Sequence, residues 1–115
     1  MKDERSISLD NLTGDELVRV LGALSNPHRL RILAVLAGGR VHVSQLARDV
    51  GLSRPLVHVH LQRLEAAGLV TGRLELSGEG KAMKFFEVNA FAISLTPEAL
   101  AEAARTLSEQ KEEGT

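Results

Sequence analysis

The chain has 115 residues, 43% hydrophobic and 25% charged, with a formal net charge of −1, the profile of one ordinary globular domain whose modest core gains from oligomerising. It contains no cysteine, which excludes disulfides, thiolate metal sites and cysteine nucleophiles. There is no run of 18 apolar residues and no charged-then-apolar leader, so neither a membrane span nor a secretory signal is expected and the expected location is cytoplasmic.

Residues 1–12 are polar and read as a flexible N-terminal tail ahead of a single domain over 13–112. Thr13, with Glu16 three residues on, has the form of a capping box, and Leu17, Val18, Leu21 and Leu24 mark an amphipathic helix ending near Leu24. Asn26 is a natural N-cap, and Pro27 fits the first helical position, where its missing N–H costs nothing. Leu30, Leu33, Ala34 and Ala37, with Ile32 and Leu36 beside them, make this second helix apolar around much of its girth and central to the core. Gly38-Gly39 end it.

The stretch from Leu46 to Val70 reads as two short helices joined by a tight turn. His42 stands near the N-cap of the first, with Gln45 at the third helical position, and Leu46, Ala47 and Val50 form its apolar face. Gly51 supplies the backbone freedom of the turn, Ser53 caps the second helix, and Gly68 sits where a C-terminal cap belongs. Val57, Leu61 and Leu64 recur as one buried stripe, while Arg54, His58 and Gln62 lie four residues apart on another face. A polar, hydrogen-bonding face on a short helix behind a turn suits insertion into the DNA major groove.

After Gly68 the apolar period changes to two. Val70, Gly72, Leu74 and Leu76 alternate with polar residues as a half-buried strand does, Ser77 to Gly80 is turn material, and Met83 to Val88 is the returning strand. Phe85-Phe86 breaks the alternation, as a bulge or a doubly covered position would. Thr96-Pro97 opens a last helix whose apolar line is Leu100, Ala103, Ala104 and Leu107. A line that thin serves better against a partner helix than as a core of its own. With Leu17 and Leu21 of the first helix it is read as a homodimer interface, the alternative being a helix folded back on its own domain. The expected fold is mainly α with a small β-hairpin, a dimeric winged helix-turn-helix.

At this point the motifs resemble those of the ArsR/SmtB bacterial transcriptional regulators. LGALSNPHRLRIL resembles the family's second-helix signature, and VSQLARDVGLSRPLVHVHLQRLEAAGLV its helix-turn-helix; the resemblance covers roughly residues 13–90. It implies a symmetric dimer whose recognition helices, about residues 53–67 here, read a palindromic operator, as a repressor relieved by an effector. Metal-sensing members carry Cys-Val-Cys-Asp where this chain has His42, Val43, Ser44 and Gln45, and others place histidines on the terminal helix, whereas no histidine follows His60 here. The wing is less basic than is usual in the family: Arg73, Lys81 and Lys84 face Glu75, Glu79 and Glu87.

For double-stranded DNA, Arg54 suits guanine, Gln62 suits adenine, and His58 can donate to base or phosphate. Ser44, Gln45 and Ser53 are the expected phosphate ligands, with charge added by Arg63, Arg73, Lys81 and Lys84. The charge distribution agrees: residues 28–63 hold six arginines against Asp49 alone, whereas residues 1–17 and 97–115 each carry a net −3. His60, beside the buried stripe, is expected to be a hydrogen-bonded structural residue. His42 is expected to act as an N-cap; the competing role is as a nickel or zinc ligand joined by carboxylates or an imidazole from the other subunit. Ser44 and Ser53 sit at helix starts with no base-and-carboxylate set, and no glycine-rich phosphate loop occurs, so no enzyme is expected. The nearly neutral wing keeps a second reading open, a winged-helix interaction module acting through a protein co-regulator. A third is a metal-responsive (Ni/Zn) regulator with His and carboxylate ligands.

Overall fold

The computed structural model describes residues 12–109 and the backbone of residues 7–8; residues 1–6, 9–11 and 110–115, including much of the expected tail and the expected domain end at 112, lie outside the described residues. In chain order the elements are β1 (Ile7–Ser8), α1 (Gly14–Leu24), α2 (Pro27–Ala37), β2 (Val41–His42), α3 (Val43–Val50), α4 (Arg54–Ala66), β3 (Val70–Leu76), β4 (Ala82–Val88), β5 (Phe91–Ala92) and α5 (Pro97–Ala104). This is the expected winged helix-turn-helix, with three two-residue strands added. Strands that short carry no period to read.

Each helix starts where its cap residue places it. The Thr13 hydroxyl accepts the Glu16 N–H at 3.1 Å while the Glu16 carboxylate accepts the Thr13 N–H at 2.9 Å, completing the capping box. Asn26 accepts the N–H groups of His28 and Arg29, Ser53 that of Leu56, and Thr96 that of Ala99. Gly51, at φ 72°, turns the chain between α3 and α4. Gly68, at φ 80°, ends α4: its N–H donates to the Glu65 carbonyl and that of Leu69 to the Leu64 carbonyl, which satisfies two of the last carbonyls of the helix.

One apolar cluster joins Val20 and Ala23 of α1, Ile32 and Leu36 of α2, Leu46 and Ala47 of α3, Val57, Leu61 and Leu64 of α4, and Leu69, Val70 and Phe86. The expected stripe of α2 is displaced. Its buried edge is Ile32 and Leu36, whereas Leu30 is 54% exposed and Ala34 and Ala37 face solvent. A helix apolar on most sides leaves the choice of inward edge to its neighbours, here α3 and β4.

The main sheet has the order β2-β4-β3, all antiparallel, and β3 pairs with β4 in unbroken register from Val70 opposite Val88 to Leu76 opposite Ala82. Phe85-Phe86 is therefore not a bulge but a doubly covered position. Phe86 is buried opposite Gly72, where an added Cβ would lie 2.7 Å from its ring, so only glycine fits. Phe85 emerges on the other face, under the Arg40 guanidinium at 4.4 Å and against the edge of the His42 ring. Leu74 and Leu76, expected to be half-buried, are 71% and 75% exposed. The hairpin overhangs the helical body beyond Gly72, so the alternation continues with nothing beneath it.

Within the segment read as a flexible tail, Ile7 and Ser8 pair in parallel with Phe91 and Ala92, and Leu12 packs against the core. At the other end, α5 folds onto α1 of its own chain. Ala103 is buried there, the Gly14 N–H donates to the Thr106 hydroxyl at 2.7 Å, and the Ser108 N–H donates to Asp15. That last bond holds the Asp15 carboxyl below its ordinary value.

Candidate nucleic-acid interface

Helix α4 has one committed side and one free side. Val57, Leu61 and Leu64 are at most 1% exposed, which at about 100° per residue fixes the outward direction of every other side chain. Arg54, His58 and Gln62 form one outward strip, and Arg63 lies on the far flank. All four side chains are exposed and make no hydrogen bond or ion pair to another described residue. A guanidinium, an imidazole and a carboxamide along two turns of a free helix present the donor pattern that purine edges accept. Pro55, Leu56 and Val59 are also exposed on this helix.

The other expected DNA contacts divide. The Ser53 hydroxyl is exposed but already accepts the Leu56 N–H at 3.3 Å. Ser44 is partly covered. The Gln45 amide donates to Asp49 and accepts from Arg48, each at 2.7 Å, so its first commitment is within α3. Ser44, Arg48 and Arg54 line one shallow depression with Gly51 and Leu52, across the turn between the two helices. Arg48 was not among the expected contacts. Its place one helical turn beyond Ser44 was the available signal.

In the wing, Arg73, Lys81 and Lys84 are exposed. The loop between the strands is ordered by Ser77, whose hydroxyl accepts the N–H groups of Glu79 and Lys81 and whose carbonyl accepts that of Gly80. Lys84 extends over the Phe86 ring at 5.5 Å.

Two arginines of the basic middle segment are engaged within the chain instead, Arg29 partly covered and Arg40 at the surface. Arg29 donates through Nε to the Ala23 carbonyl at 2.6 Å, through Nη2 to the Gly22 carbonyl at 3.3 Å, and through Nη1 to Nδ1 of His60 at 3.2 Å. It thereby caps the C-terminus of α1 and ties it to α4. His60 is the expected structural histidine: burial, then the Arg29 and His28 charges, push its pKa below the ordinary value. Its ring stands 5.6 Å from that of His28. Arg40 is paired with Glu75 and stacked on Phe85.

His42 caps α3, its Nδ1 accepting the Gln45 N–H at 3.3 Å. Among the described residues no group of three or more His, Cys, Asp or Glu side chains converges as a metal ligand set would. No helix among them is long and apolar enough to cross a membrane.

Leu17, Leu21, Leu100, Ala103, Ala104 and Leu107 line a single shallow groove between α1 and α5, together with Gly14 and Val18. Val18, Leu100 and Leu107 are 60%, 45% and 47% exposed. The α5 helix thus folds back on its own chain, while Leu100 and, beyond the helix end at Ala104, Leu107 remain exposed.

Residues 26–71 match the sequence model of "Bacterial regulatory protein, arsR family". The uncharacterized HTH-type transcriptional regulator MJ0229 of Methanocaldococcus jannaschii is 38% identical over 76 residues, covering 66% of this chain and 79% of that one. The HTH-type transcriptional regulator CmtR of Mycobacterium tuberculosis is 42% identical over 59 residues, and this match spans half its length. Among solved structures, the homodimeric winged helix-turn-helix DNA-binding domain Mb0332 of Mycobacterium bovis superposes over 79% of this chain and 70% of that one, with a TM-score of 0.56 and 30% identity. Reduced HlyU of Vibrio cholerae superposes over 79% and 84%, with a TM-score of 0.56 and 26% identity.

Proposed function

The chain belongs to the arsR family of bacterial regulatory proteins, helix-turn-helix transcriptional regulators, and from that premise we propose that it is a homodimer that represses transcription at a palindromic operator until an effector releases it. The observation that carries the DNA-binding part is the free strip of α4: Arg54, His58 and Gln62 point outward with no partner among the described residues. Arg54 takes guanine bidentately, Gln62 takes adenine, and His58 donates to a base or a phosphate. Ser44, Arg48 and the capped start of α4 hold the phosphate beside them. The apolar groove between α1 and α5 supports the dimer, since a second copy would cover Val18, Leu100 and Leu107. Two-fold symmetry would then set two α4 helices on successive major grooves.

The test is a mobility shift of the full chain on DNA from its own upstream region, repeated with Arg54→Ala. The expected cost is about 1–3 kcal/mol, with specificity relaxed at one position of each half-site. Equal weakening on all sequences removes the base-reading role. No shift on any duplex, in a chain that sediments as a folded dimer, favours the protein co-regulator reading.

A further inference from the structure

We propose that α4 also reads thymine, with Val59 seated against the base's 5-methyl group beside the positions taken by Arg54 and Gln62. This rests on the DNA-binding reading above. The direction opposite the buried Val57–Leu61–Leu64 stripe is occupied by Pro55, Val59, Gln62 and Ala66, with Arg54 and His58 on one flank and Leu56 and Arg63 on the other. Val59 is 51% exposed and Leu56 50%. A single exposed apolar side chain is ordinary, but these are neighbours, and Val59 stands in the middle, with Leu56 beside it, of a helix face lined by Arg54, His58 and Gln62, which have no partner among the described residues.

The chemistry of the major groove narrows what can cover such a patch. Its floor offers acceptors, amino donors and one apolar group, the thymine methyl. Val59 is three residues from Gln62 and one from His58, so a carboxamide that reaches adenine leaves the valine methyls over the neighbouring base step. A β-branched residue is a poor choice for a solvent-facing helix position on propensity alone. Its two stiffly held methyls do suit contact with another methyl group. Neither Val59 nor Leu56 is needed by the core, since both are about half exposed while the core cluster closes without them.

The experiment uses the full chain and duplexes it recovers from a random-sequence pool, with thymines replaced one at a time by deoxyuridine, which lacks only the methyl. Losing one buried methyl contact is expected to weaken binding about fourfold at one or two positions of each half-site. For Val59→Ser, checked for folding by its melting temperature, thymine and deoxyuridine duplexes should bind alike at those positions. The salt dependence should not change, because no phosphate contact is lost. Indifference of the unaltered chain to every replacement, in a protein that still selects a sequence, overturns the proposal and leaves the DNA-binding reading standing. So does Val59→Ser retaining the discrimination, or weakening all duplexes to the same extent. If no sequence is recovered from the pool, both fall.

Discussion

Arg29 is the residue at which the charge pattern and the structure make opposite predictions, and Arg29→Ala separates them. As a phosphate ligand, Arg29 would contribute to DNA binding and little to folding. In the structure its guanidinium donates to the Ala23 and Gly22 carbonyls and to His60. A bond from a charged donor contributes about 1.5–3 kcal/mol when well shielded, and a cation at a helix C-terminus adds about 0.3–1 kcal/mol. The bond to Gly22 is long and exposed and adds little, and the other two are only partly buried. Together they justify about 2–3 kcal/mol, or a fall of roughly 10–20 °C in Tm for a domain of this size. Urea unfolding should show a lower midpoint at unchanged slope, while the log–log salt slope of DNA binding in the surviving folded protein stays the same. A stability change below about 0.5 kcal/mol, with the salt slope reduced by about one per subunit, would refute the internal role and return Arg29 to the DNA face.

Three further outcomes follow from the same contacts. His60, with its pKa pushed below the ordinary 6.5, stays neutral in the fold while the unfolded chain takes up a proton as the pH falls through that value; stability is therefore complete above it and declines below it, and His60→Gln should flatten that decline in melting temperatures taken across the acid range. Gly14→Ala would drive a Cβ into the Ala103 carbonyl and to 2.7 Å from Leu107, so it should cost about 1–3 kcal/mol and lower the dimer fraction in sedimentation; Gly22→Ala, with open space around it, is the control and should be neutral or stabilising. Replacing Arg73, Lys81 and Lys84 together with glutamine should flatten the salt slope by about 0.9 for each phosphate contact the wing makes, and no change would mean that α4 alone holds the DNA.

The helices and most of their ends were legible because their causes are local; α5 is the exception, stopping at Ala104 before the expected Leu107 with no glycine or proline to mark the end. Thr13, Asn26, His42, Ser53 and Thr96 each cap the helix they precede, and Gly51 and Gly68 each take the left-handed backbone their turns require. What failed were statements about which face meets which neighbour. The inward edge of α2 is set by α3 and β4, and nothing within Pro27–Ala37 distinguishes Ile32 and Leu36 from Leu30 and Leu33. The overhang that exposes Leu74 and Leu76 depends on how far the helical body extends beneath the sheet. Pairing of Ile7–Ser8 with Phe91–Ala92 joins segments more than eighty residues apart through two residues each.

The site divides along the same line, and its least transferable part was the count of charges. Six arginines in residues 28–63 suggest a broad basic face. Yet Arg29 serves the carbonyls of α1, Arg40 serves Glu75 and Phe85, and Arg48 shares Gln45. Arg31 stands 3.5 Å from His28. Arg54 and Arg63, both on α4, are the two of the six left without a partner among the described residues. Summed sequence charge estimates the field only when side chains are free, and a guanidinium with several fixed donors is the group most readily drawn into capping and stacking. The helical period, by contrast, is enough to put Arg54, His58 and Gln62 on the exposed side, because three fully buried residues on one short helix leave the opposite face no alternative but solvent or a partner. The same geometry exposes Val59, an apolar side chain among the polar groups of that face.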